Sequence, residues 1–234
     1  MRAALAVALA AGVGPVTAAA GEFRLLRLDG NAVKWGAPAL GSGATVTYAF
    51  ATRDARFPDA TNCRRLAPMA TLAAAWQGDP ARLEAVAAEA FGMWSRAANL
   101  RFRAAVPGEA PDVLIGAQGE PEGIAFANVW NGTGRAGVAP LTRATVCLNP
   151  EVAWTTGAGP VPNGAHDLAT VLAHEIGHAI GLDHPGPTGA LMGFRSPSTV
   201  GRMMPGDIAG ALALYGAELG LRSATREGAA PGIR

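Results

Sequence analysis

A chain of 234 residues, half of them hydrophobic, is long enough to bury the core of one ordinary domain. Its formal net charge is +1 and only 16% of its residues are charged, which excludes the single-sign field that draws nucleic acid or an anionic membrane surface. Apolar residues recur along the whole length, so wholesale disorder is excluded as well, and no internal repeat is visible.

In chain order, Met1-Arg2, a run of Ala, Leu, Val and Gly to residue 16, and Ala18-Ala19-Ala20 fit a cleaved signal peptide over 1–20. Gly14-Pro15 interrupts the run short of the roughly 20 residues a bilayer span needs, so an exported chain without stable membrane insertion is expected, secreted or held in a periplasm. In an oxidising compartment the two cysteines, Cys63 and Cys147, are expected to pair; Cys63 as a thiolate plug on a metal would need a latency motif that is not present. Residues 21–44, mixed and Gly-rich, read as a linker or short pro-like stretch, and 45–220 as the folded domain. Val46 to Phe50 alternates as a half-buried strand does. Asp79-Pro80 caps a helix whose Leu83, Val86, Ala87, Ala90, Phe91 and Trp94 form one apolar stripe ending near Asn99. Strand signals follow at 100–104, 113–116, 123–129 and 136–148, with Asn131-Gly132 as a turn. After a Gly/Pro-rich loop, Asp167 caps a second helix from Leu168 to about Ile180 that is apolar on nearly all sides and therefore buried. A last helix is expected from Gly206-Asp207 to about Glu218, then a solvated tail over 221–234.

The second helix carries the pattern His174-Glu175-x-x-His178-x-x-Gly181-x-x-His184, which uses three of the four histidines. Positions i and i+4 share a helix face, so His174 and His178 can present imidazoles to one zinc ion. Gly181 can take the left-handed conformation that stops the helix and returns His184 to the same ion. Three protein ligands leave one zinc position for water, the mark of a catalytic site, and Glu175 is placed to take that water's proton as it attacks a peptide carbonyl. A bare His-Glu-x-x-His recurs by chance; the glycine stop and third histidine make the extended pattern far more specific.

With these residues the sequence resembles the metzincins and, within them, the matrixins, the family of the matrix metalloproteinases. Gly189-Ala190-Leu191-Met192 looks like the family's Met-turn, whose methionine, here Met192, lies beneath the metal site as an apolar floor. Gly206-Asp207-Ile208 with Ala213-Leu214-Tyr215-Gly216 looks like its closing helix, while Ala90-Phe91-x-x-Trp94 and Pro111-Asp112-Val113 echo its first helix and a central strand. The resemblance implies an α+β fold, a twisted mixed sheet with two long helices, in which the active-site helix and the Met-turn lie below a substrate cleft. It also implies a secreted zinc endopeptidase, expected as a monomer, with the strand at 123–129 as the edge on which an extended protein or peptide substrate pairs.

The pattern departs from the family in places. Pro185 stands where matrixins carry Ser and serralysins Pro, Phe194 replaces the serralysin tyrosine ligand, and no cysteine-switch motif occurs. His166 reads as a loop residue, so a second, structural zinc is not expected; calcium is possible, but no dedicated loop supports it. The rival reading is a non-catalytic metal-containing binding module that kept the fold. Glu175 argues against it, because metal binding alone gives a proton acceptor no task.

Overall fold

A computed structural model describes residues 22–157, 159–186, 190–193 and 202–218. The expected signal peptide, the tail, Phe194 and most of the segment after Met192 lie outside these residues. The observed architecture is the α+β arrangement expected above, a mixed sheet packed on helices.

Three short strands come first, β1 (Arg24–Leu25), β2 (Arg27–Leu28) and β3 (Asn31–Lys34), followed by β4 (Ala44–Phe50). Residues 21–44, read above as a linker or short pro-like stretch, thus contain three of the strands. Val33, Lys34 and Trp35 are buried, and β3 pairs in parallel with β10 (Val138–Leu148). Lys34 survives burial because its Nζ donates to the carbonyls of Trp35 (2.7 Å) and Ala37 (2.9 Å) and to Ser42 Oγ (3.0 Å).

Between β4 and the first helix lie β5 (Ala55–Arg56), β6 (Arg65–Ala67) and 3-10 turns over Met69–Trp76. The loop joining β5 to β6 is tied to β10 by the Cys63–Cys147 disulfide, as expected, across a separation of 84 residues. Beneath it a small satellite core gathers Ala51, Phe57, Ala60, Leu66 and Cys147.

Helix α1 (Pro80–Ala97) starts where Asp79 accepts the Ala81 N–H and Pro80 supplies a ready-made first turn. Its stripe is buried as the spacing implies, with Met93 added. Then come β7 (Leu100–Ala104), β8 (Val113–Gln118), β9 (Ala125–Asn131) and β10, so the predicted strand at 123–129 begins and ends two residues later. The sheet runs β2-β3-β10-β8-β4-β7, with β9 joined to β10 alone. The β4·β7, β4·β8 and β8·β10 pairs are parallel, and β9·β10 is antiparallel. Thus, among the described residues, β9 is a sheet edge.

Short strands β11 (Ala153–Thr155) and β12 (Ala165–Asp167) pair with each other, so His166 sits in a strand opposite Trp154 rather than in a loop. Helix α2 (Leu168–Ala179) follows, capped by Asp167, whose Oδ1 accepts from Thr170 N at 2.8 Å. After β13 (Leu182–Asp183), helix α3 (Pro205–Tyr215) closes the domain, three residues shorter at its C-terminus than predicted.

Candidate active site

Helix α2 is held at both ends and along its underside. Trp94 Nε1 on α1 donates to Ala173 O (2.8 Å). At Gly177 a side chain would collide with Met192 Sδ and the Trp94 ring, so glycine is what lets α1 and the Met-turn approach the helix. The last carbonyls of a helix have no partner inside it. Here Trp35 Nε1 donates to Ala179 O (2.8 Å) and the Tyr215 hydroxyl to Ile180 O (2.7 Å), while Tyr215 accepts the Trp35 N–H (3.1 Å). Gly181 then turns the chain at φ +104°, against the Val33 carbonyl, where any Cβ would clash.

The turn brings His184 back toward the helix. His184 Nε2 lies 3.0 Å from His174 Nε2 and 3.2 Å from His178 Nε2. On the far side of two rings the second nitrogen donates to a carbonyl, His174 Nδ1 to Leu191 O (2.6 Å) and His178 Nδ1 to Leu182 O (2.9 Å). A carbonyl only accepts, so those Nδ1 atoms carry the proton and the Nε2 lone pairs of His174 and His178 face the centre. Lone pairs this close repel unless a cation lies between them. Two nitrogens on a tetrahedral zinc, each at 2.0–2.1 Å, stand roughly 3.3 Å apart, so the donor set fits the ion in type and in spacing. Burial lowers the pKa of all three rings, that of His178 to about 3, which keeps them neutral and able to ligate near pH 7.

Glu175 is only 7% exposed, and its carboxylate accepts the Ala127 N–H from the free edge of β9. Burial pushes its pKa up to about 8. A divalent cation at the neighbouring histidines would oppose that shift by favouring the charged form.

The Met-turn is anchored from α3. Asp207, buried, accepts from Leu191 N (3.0 Å), Met192 N (3.0 Å) and Met204 N (2.7 Å). Since Leu191 O receives His174 Nδ1, the carboxylate positions a candidate ligand through one intervening residue. Sequence reasoning placed Asp207 only in the closing helix. Its position three residues into the helix, after Pro205, was the available signal. Ala127, Trp35 and the fold-back of Arg24 onto Asp183 (3.0 Å) were missed too, having no motif to mark them.

These groups open onto a cleft of about 900 Å³, bounded by β9, by α2 at Thr170 and Val171, by Leu26, Leu28 and Asp29, and by the loop Asp59 to Asn62. His166 is not among its lining residues.

The family model of the matrixins, peptidase family M10, matches residues 72–216. The chain belongs to the matrixin family. Matrixins are zinc-dependent peptidases, and the three converging imidazoles form a group that could hold a metal ion. Matrix metalloproteinase-19 of Mus musculus is 32% identical over 141 residues, covering 58% of this chain and 25% of that protein. The Homo sapiens protein of the same name is 32% identical over 146 residues, 58% of this chain and 27% of its own length. Stromelysin-3 of Mus musculus is 31% identical over 157 residues, 60% and 28%. This matrixin therefore spans about a quarter of the length of these curated relatives. No helix among the described residues is long and apolar enough to cross a membrane.

Proposed function

We propose that this matrixin is an exported zinc endopeptidase that cuts internal bonds of proteins or peptides lying extended on β9. His174, His178 and His184 hold the ion, and Glu175 is the proton acceptor. Zinc, when bound, supplies Lewis acidity toward a peptide carbonyl and toward water. The rest falls to the chain. The edge of β9 pairs with the substrate backbone and fixes its depth in the cleft. Glu175 takes a proton from the attacking water as the C–O bond forms and delivers it to the amine nitrogen as the C–N bond breaks, so that the carboxylate is regenerated. Met192 and Gly177 keep the underside of the site apolar and closely packed.

The observation that carries this reading is the meeting of three imidazole Nε2 atoms beside a buried carboxylate that is itself linked to a free strand edge. Residues 1–20 as a cleaved export signal, and the Cys63–Cys147 bridge, suit the same reading, since such bridges persist in oxidising compartments. Digestion of casein or a peptide library, with and without 1,10-phenanthroline, tests it. Glu175→Gln should retain zinc by metal analysis while kcat falls about 10²- to 10⁴-fold. Cleavage insensitive to the chelator, or full turnover in that variant, sinks the mechanism; zinc binding with no cleavage of any substrate favours a binding module.

A further inference from the structure

Two walls of the cleft come from segments outside the matched family region 72–216. One is the β2–β3 hairpin and its approach, with Leu26 just before β2, Leu28 on it and Asp29 in the turn. The other is the disulfide-tethered loop, carrying Asp59 and Asn62. Both flank the same end of β9. The loop is fastened to it by a reciprocal pair, Asn62 N to Asn128 Oδ1 (3.0 Å) and Asn128 Nδ2 to Asn62 O (2.8 Å), and by Trp130 Nε1 to Asp59 (2.7 Å). The hairpin reaches that end from the other side. Its Asn31 packs against Gly134, and Ala32 N donates to Gly137 O (2.9 Å), both in the connection that leaves β9 after Asn131.

Histidines apart, the ionisable groups of the lining are all carboxyls. Among the described residues around the cleft are Asp29, Asp59, Glu175 and Asp183, and no Lys or Arg. Asp183 already faces Arg24, and Asp59 faces Arg143 and Trp130. Glu175 belongs to the chemistry proposed above. Asp29 remains, exposed at the hairpin tip beside two half-buried leucines, while Arg27 on the same strand turns its guanidinium to Gly30 O (3.1 Å). An apolar stem ending in a cation suits that combination, with methylenes on the leucines and the charge at the carboxylate.

We propose that the β2–β3 hairpin, with Leu26, Leu28 and Asp29, forms a subsite that selects a lysine or arginine side chain of the substrate. This rests on the peptidase reading above. Ala127 marks the level of Glu175, and Asn131 lies four residues on, roughly 13 Å along an extended strand. Within this proposal the selected side chain is placed three or more residues from the cleaved bond. It precedes that bond if the substrate runs antiparallel to β9 and follows it if parallel.

The test is a lysine scan of a fluorogenic peptide against its norleucine counterparts. Cleavage is measured with the zinc-loaded wild type and Asp29→Asn, and affinity with Glu175→Gln protein by fluorescence anisotropy. At one position in that range lysine should raise kcat/KM and tighten binding about fivefold, as a partly exposed ion pair does. The ratio should collapse in Asp29→Asn and shrink with added salt. Equal rates and affinities for lysine and norleucine at every position overturn the subsite, whatever the variant does. Tighter lysine binding that depends on Asp29, without cleavage of any peptide, overturns the peptidase reading and leaves the subsite standing. Neither binding nor cleavage overturns both.

Discussion

At the scale of single residues, burial sets opposite demands on the groups of the site. His178, with a pKa lowered to about 3 from an ordinary 6.5, stays neutral in the metal-free fold, so below pH 6.5 the unfolded chain binds a proton that the folded chain refuses. Stability therefore falls as pH drops from 6.5 toward 3, and His174 and His184, also lowered, steepen the fall. Glu175, raised to about 8 from 4.5, holds a proton that the unfolded chain releases, so its burial costs stability as pH rises from 4.5 to 8. Thermal melts of chelator-stripped protein should peak near pH 6.5 and decline on both sides. Glu175→Gln should flatten the alkaline decline and keep the acid one; an unchanged alkaline limb would show that the carboxyl is not held neutral. The three histidines, Glu175 and Gly181 were legible in the sequence because helical spacing and a glycine stop are local patterns. Ala127 was not, since its role is played by a backbone N–H that any residue would supply.

At the scale of elements, the Met-turn owes its place to helix α3. Asp207 satisfies three backbone N–H groups at once, and Leu191 passes that order to the His174 ring. Asp207→Asn sets an amide NH₂ against at least one of those donors. We expect a loss of about 2–3 kcal/mol in stability, from a buried donor left without an acceptor. Zinc affinity should weaken about 10-fold or more, as loss of an outer support to a ligand does. Chemical denaturation and chelator competition measure the two, and wild-type zinc affinity would dismiss the coupling. Helices α1 and α2 were readable from caps and stripes, and β4, β7, β8 and β10 from alternation. Strands β1 to β3 were not. Two of them span two residues, too few to show a period, and Lys34 reads as solvent-facing until its carbonyl partners are known. The stretch from Ala51 to Gly78 stayed unread for the same reason: β5 and β6 are short, and what holds their loop is a disulfide and an asparagine pair between distant residues.

At the scale of the molecule, the fold class followed from the motif's resemblance, while the closure of the cleft by its outlying segments did not. Long-range placement is a tertiary property, and hydrophobic pattern reports only which face is buried. The C-terminal end of α2 shows how far such placement reaches. Trp35 lies 144 residues from the carbonyl it caps, and Tyr215 lies 180 residues from the Trp35 amide it receives. During synthesis, then, a ribosome can have delivered every histidine of the motif while the scaffold that orients them is still unfinished. A chain ending at residue 204 keeps all three, and it should neither retain zinc through dialysis nor melt cooperatively. Under the function proposed above, the nascent chain would gain a formed metal site only once α3 has docked, a delay built into the order in which the peptide leaves the tunnel.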